Sequence, residues 1–105
     1  MTKNVIYSPL TAEDIAAVCR SYDAKRPGLG DEFLVQLRRT LQHINDYPLS
    51  YQRLTGEFRR AQVRRFPLVV LYCFDANADA ILVVGVLSTR RDPTHLLERT
   101  QGPTH

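Results

Sequence analysis

Phe66-Pro67-Leu68-Val69-Val70-Leu71-Tyr72-Cys73-Phe74, then Asp75-Ala76-Asn77-Ala78-Asp79, then Ala80-Ile81-Leu82-Val83-Val84-Gly85-Val86-Leu87: this run decides the fold. Branched and aromatic residues fill both flanks, the composition of well-buried strands. The middle segment is small and polar, a turn. Two apolar strands joined by a short polar turn make a hairpin, so the sheet is largely antiparallel. Pro67 falls at the start of its strand, where a missing N–H is tolerated.

Upstream of this hairpin, Phe58, Ala61 and Val63 read as a further strand interrupted by polar and basic residues. Asn4 to Tyr7 reads as a short strand, with Val5 and Tyr7 on one face, and Ser8-Pro9 ends it. Between these strands the period changes from 2 to 3.6. Thr11 is the expected N-cap of a first helix, with Glu13 and Asp14 in its first turn, where the macrodipole favours negative charge. Ile15, Val18, Cys19 and Tyr22 then form its apolar stripe. Arg26-Pro27-Gly28-Leu29-Gly30 breaks the helix. A second helix is expected from near Asp31, with Phe33 or Leu34, Leu37, Leu41 and Ile44 as its stripe, stopping at Asn45-Asp46-Tyr47-Pro48. Two helices with so short a connection lie antiparallel.

The expected order is therefore β-α-α-β-β-β. It is an α+β fold, with an N-terminal helical hairpin packed on one face of a small, mainly antiparallel sheet. All 105 residues make one domain, because a chain of this length supports one hydrophobic core and not two. Thr94 to Arg99 is expected to be a short helical turn, and residues 100–105 a loose tail.

Composition removes several function classes. Hydrophobic residues make up 44% and charged residues 24%, the balance of a soluble globular protein. No apolar run is long enough for a bilayer, and Met1-Thr2-Lys3-Asn4 lacks the apolar stretch of a signal peptide, so the cytoplasm is the expected compartment. The two cysteines, Cys19 and Cys73, have no Cys or His neighbour at metal-ligand spacing. No metal or other cofactor is expected, and both thiols read as reduced, buried, small hydrophobes.

The formal net charge is only +3, but twelve of the fourteen basic residues are Arg. A GC-rich genome produces such a bias by codon usage, so position has to separate bias from function. Arg53, Arg59, Arg60, Arg64 and Arg65 fall within thirteen residues, opposed only by Glu57, and Arg90-Arg91 follows the last strand. If Ala61 and Val63 face the helices, alternation sends Arg60, Gln62 and Arg64 to the other face and leaves Arg59 and Arg65 at the apolar rim. The guanidinium fork suits phosphate and carboxylate, so the expected target is an anion: nucleic acid or an acidic protein segment. Tyr47, Tyr51 and Phe58 are the aromatics available to stack on bases. The alternative for the same arginines is a solvated strand edge protected against pairing.

Three segments carry a resemblance. Pro27-Gly28-Leu29-Gly30-Asp31-Glu32-Phe33 opens the second helix, Arg64-Arg65-Phe66-Pro67-Leu68-Val69-Val70-Leu71-Tyr72 follows Arg59-Arg60, and Arg90-Arg91-Asp92-Pro93 closes the sheet. In this order they resemble the RelE/ParE superfamily, of plasmid-stabilisation type, across nearly the whole chain. The resemblance implies a toxin of a type II toxin–antitoxin pair, held inactive by a cognate antitoxin that is acidic or partly disordered. RelE-like members resemble ribosome-dependent endoribonucleases that cut mRNA. ParE-like members resemble poisons of DNA gyrase that do not cut. The Pro27–Gly30 and Arg64–Pro67 segments lie nearer the ParE-like side.

RNA cleavage needs a base, an acid and cations for the charged phosphorane. Arg supplies only the last, since it stays protonated. By the resemblance, His95 is the candidate base or acid, two residues beyond Pro93, with Arg65 and Arg90 as the phosphate clamp and Glu57 a distant second base. Arg59, Arg60, Arg64 and Arg91 are the candidate target- or antitoxin-binding residues. The sequence departs from the nuclease pattern: no lysine follows Lys25, and Leu96 and Leu97 stand where many relatives carry Tyr or Trp. His43 and His105 have no expected role. A gyrase-binding toxin is the leading reading and the mRNA endoribonuclease its alternative.

Overall fold

The computed structural model describes residues 3–90 and 93–101. The order is β1 (Asn4–Tyr7), α1 (Pro9–Lys25), α2 (Leu29–Asp46), β2 (Arg53–Thr55), β3 (Phe58–Gln62), β4 (Leu68–Asp75), β5 (Ala80–Ser88) and α3 (Thr94–Gln101). The strands form one sheet in the order β1-β5-β4-β3-β2. β1 runs parallel to β5, and every other pairing is antiparallel. This is the expected α+β arrangement with one added edge strand, the three-residue β2. Among the described residues, no helix is long and apolar enough to cross a membrane.

Two boundaries differ from expectation. The N-cap of α1 is Ser8, not Thr11: the Ser8 side chain accepts the Thr11 N–H at 3.2 Å. The cause is Pro9, whose fixed φ and missing N–H suit the first helical position. Glu13 and Asp14 therefore lie beyond the first turn, and Thr11, fully buried, donates its hydroxyl to the Val83 carbonyl at 2.9 Å. α2 begins at Leu29 because Gly28 takes the N-cap in a left-handed conformation, φ 91°. At the other end, Thr100 and Gln101 complete α3 rather than joining a tail, and residues 102–105 lie outside the described residues.

The core lies between the helical hairpin and one face of the sheet. Phe33, Leu37 and Ile44 of α2 meet Ala61, Val63, Val70, Tyr72, Ile81 and Val83, all buried. The α1 stripe Ile15, Val18, Cys19 and Tyr22 packs against this layer. Tyr22, Phe33 and Phe66 form a triangle of rings with centroids 5.1–6.0 Å apart. On the opposite face a smaller apolar layer, Val69, Leu71 and Leu87, is covered by Leu96 of α3.

β5 carries one extra residue: Leu71 pairs with Gly85 and Tyr72 with Val83, so Val84 is bulged. β1 pairs with β5 only as far as Val83. Beyond it, Asp14 of α1 and Arg99 of α3 satisfy the β5 edge. Asp14 accepts the Val86 N–H at 3.1 Å and the Arg99 guanidinium at 2.6 Å, and Arg99 donates to the Val84 carbonyl at 3.0 Å. A Cβ on Gly85 would stand 2.9 Å from that guanidinium. This clasp fixes α3 against the sheet and so sets where His95 sits.

Candidate functional site

The β3–β4 turn is built around one side chain. The Gln62 amide donates to the carbonyls of Val63, Phe66 and Leu68 at 3.4, 2.7 and 3.1 Å. The Val63 N–H meets the Leu68 carbonyl at 2.8 Å and closes the loop. Within it Arg65 holds φ 73°, a left-handed conformation that a residue with a Cβ adopts only when its surroundings impose it. The turn throws Arg65 toward the helical side. There its guanidinium lies 3.8 Å from Glu32, which is bound more closely by Arg26 at 2.9 Å. The Arg26 hydrogen bond chiefly holds the Glu32 carboxyl below its ordinary range, and the Arg65 charge adds to it.

Arg65 and Arg90, the two expected clamp residues, line one groove of about 730 Å³ with Val18, Tyr22, Lys25 and Phe66. Ser88 belongs to the same groove and links it to α3: its hydroxyl accepts the Arg90 N–H at 3.1 Å, and its carbonyl lies 3.0 Å from His95 Nε2. A carbonyl only accepts, so Nε2 carries the proton in this pairing. His95 is thus adjacent to the clamp and anchored to the end of β5.

The other arginines separate. Arg59 shares the face of Ala61, half-buried, and donates to the Tyr51 carbonyl at 2.8 Å. Arg60 is on the opposite face, in a hollow of about 580 Å³ with Gln52, Gln62, Val69 and Thr89. Arg64 is exposed at the turn. Arg91 lies outside the described residues. Glu57 precedes β3, at the opposite end of that strand from Arg65, and its charge acts there on Cys73.

The candidate stacking aromatics do not make one platform. Tyr51 is edge-on to Tyr72 and hydrogen-bonds His43, and Tyr47 packs on the same His43. Tyr72 donates to the Pro48 carbonyl at 2.6 Å, and burial pushes its hydroxyl up to about 12. Phe58 is on the Arg60 face, half-buried. Cys19 and Cys73 are free thiols, one in α1 and one in β4, both pushed up chiefly by burial. No group of His, Cys, Asp and Glu able to hold a metal occurs among the described residues.

Sequence reasoning missed Lys25, Glu32 and Gln62. Lys25 had a local signal, three residues beyond Tyr22 on the α1 stripe. Glu32 and Gln62 had none, because their roles depend on partners brought together by the fold.

Comparison with solved structures places this architecture among toxins. A chromosomal ParDE toxin–antitoxin system from P. aeruginosa superposes with TM-score 0.73 at 11% identity, over 85% of this chain and 98% of that one. A mutant of the E. coli toxin RelE in the free state gives TM-score 0.73 at 12% identity, over the whole of both chains. The archaeal RelE–RelB complex from Pyrococcus horikoshii OT3 gives 0.56 at 12% identity, over 88% of this chain and 100% of that one. At these identities the likeness is one of fold. The comparison with curated proteins gave no match. The family profile described as the ParE toxin of type II toxin-antitoxin system, parDE, matches residues 5–93, which spans α1, α2, the sheet from Val5 onward, and both Arg65 and Arg90. By that match, the chain belongs to the ParE toxin family of type II toxin–antitoxin systems.

Proposed function

We propose that this protein inhibits growth by binding a target, DNA gyrase first among the candidates, without cutting nucleic acid, and that a cognate antitoxin neutralises it. The observation that carries the binding reading is the state of His95. Its Nε2–H is committed to the Ser88 carbonyl, as a residue anchoring α3 requires. The groove that Ser88 lines presents the guanidinium groups of Arg65 and Arg90, which hold anions and stay protonated.

The nuclease reading has one observation in its favour. Arg65, Arg90 and the Ser88 that holds His95 line a single groove, so one base-or-acid candidate is held beside the two clamp candidates. A two-way assay with purified protein separates the readings: supercoiling by gyrase, and mRNA cleavage on programmed ribosomes. Inhibited supercoiling with intact mRNA is the expected result. Cleaved mRNA with unaffected gyrase replaces this reading by the nuclease, and activity in neither assay removes both.

A further inference from the structure

On the face of the sheet turned away from the helical hairpin, one row of apolar side chains is left open. Register aligns Phe58 with Cys73, Cys73 with Leu82 and Leu82 with Ile6, one residue from each of β3, β4, β5 and β1. Their chain neighbours Tyr72, Ile81, Val83 and Val5 pack under the helices, so alternation turns this row outward. Leu96 of α3 covers Val69, Leu71 and Leu87 farther along the same face, and no member of the row belongs to that cluster. Ile6 is 47% and Leu82 37% exposed, and Phe58 and Cys73 are half-buried. Single exposed apolar residues are ordinary, but a contiguous row across four strands marks an interaction site. Its two rims carry opposite charge. Glu57 and Asp75 flank it toward the β4–β5 turn, close enough that their charges add to burial in pushing the Cys73 thiol up. Arg60 flanks it on the other side, two residues beyond Phe58 on the same face. Among the described residues, none of these three enters an ion pair.

We propose that this row is the interface of a homodimer, in which a second copy stacks its own row face to face about a two-fold axis running along the row. That axis keeps the strands of the two sheets aligned, as stacked sheets prefer, while reversing their direction. It therefore sets Glu57 and Asp75 of each copy against Arg60 of the other. A two-fold axis along the strands would instead set like charges together, which costs free energy. Nucleic acid and anionic lipid fit this face less well, because Glu57, Asp75 and Asp79 stand exposed at this end of the sheet and repel them. A row across four strands spaced about 4.8 Å apart, with its rims, offers roughly 400–500 Å² per copy. That is the low end of specific interfaces, so the dimer is weak, with Kd of about 10–100 µM. The inference does not depend on which target the toxin binds.

Sedimentation equilibrium of the full chain, from about 1 to 500 µM, brackets that Kd and is expected to show the mass rising from one chain toward two. Ile6→Thr and Leu82→Thr keep a strand-forming residue while removing apolar surface. Each should weaken association about tenfold, with circular dichroism melts confirming the fold. Undiminished association of both folded variants overturns the row as the interface. Arg60→Glu and Glu57→Arg should each weaken self-association about 3–10-fold. A mixture of these two variants should associate within about threefold of the unaltered chain, because every facing pair is again of opposite charge. A mixture as weak as either variant alone overturns the two-fold arrangement. At about pH 8.5, where thiolate is available, a short bis-maleimide should join two copies through Cys73. Cys73→Ser should lose that product and Cys19→Ser keep it; the reverse dependence overturns the proposal. A chain that stays monomeric throughout the range also overturns it. In that case, anilinonaphthalene sulfonate bound by the chain and released by Leu82→Thr would hand the face to a different partner.

Discussion

Replacing Arg99 with Ala tests whether α3 is an integral part of the fold. The guanidinium makes two contacts with Asp14, at 2.6 and 3.2 Å, and one with the Val84 carbonyl at 3.0 Å. The two side chains are 20% and 15% exposed, so the pair is neither a surface bridge nor fully desolvated. Exposed pairs contribute about 0–1 kcal/mol, and breaking a buried one costs about 3–5 kcal/mol. Losing Arg99 also orphans the Val84 carbonyl, worth about 1–3 kcal/mol if it stays dry. Water reaching the vacated space moderates both costs, and about 3 kcal/mol is the expected sum. With about 2.1 cal/mol/K of unfolding entropy per residue over this chain, that lowers Tm by about 14 °C. Circular dichroism melts of Arg99→Ala, Asp14→Ala and the double variant measure it. The double variant should lose less than the sum of the singles, because each single strands a charge. A drop below about 4 °C for Arg99→Ala, or strict additivity, would refute a clasp and make the pair an ordinary surface bridge.

Other outcomes follow from the same geometry. Arg65→Gly should melt above Arg65→Ala by about 0.5–1 kcal/mol, since Gly relieves the left-handed backbone; the reverse order in thermal melts would show that φ 73° carries no strain. Tyr72 keeps its proton to about pH 12 when folded but loses it near pH 10 when unfolded, so the unfolded state binds fewer protons and stability falls as pH rises through that window. Tyr72→Phe should flatten this alkaline limb in urea melts while costing about 1 kcal/mol at neutral pH through the lost Pro48 hydrogen bond. His95→Ala should leave growth inhibition largely intact if the protein binds its target, whereas a roughly 10²–10⁴-fold loss of mRNA cleavage would make His95 the general base or acid.

Periodicity carried most of the fold. Phe66 to Leu87 announces its hairpin because burial on both sheet faces leaves no polar alternation to misread. The α2 stripe, Phe33, Leu37 and Ile44, is equally plain. β2 is not, since three residues of mixed polarity acquire strand character only by pairing with β3. Ser8 hid behind the more familiar Thr11 signature, although Pro9 marks the true start. At the site, alternation placed Arg59 and Arg60 on opposite faces. It gave no hint that Gln62 would fold back on three carbonyls and turn Arg65 toward α1, because those partners are set by the closed turn. Lys25 and Arg90, 65 positions apart (90 − 25), line the same groove, a juxtaposition that only the assembled layers create.

The parallel pairing of β1 with β5 joins Asn4 to Ala80, 76 positions apart (80 − 4). A chain made at about 5–20 residues per second leaves β1 without its neighbour for about 4–15 s. The α1–α2 hairpin, closed by local contacts, emerges long before the sheet that it covers. Arg90, beyond β5, arrives later still. The charged groove is thus among the last surfaces to be completed, and a ribosome still translating this chain carries helices but no finished toxin.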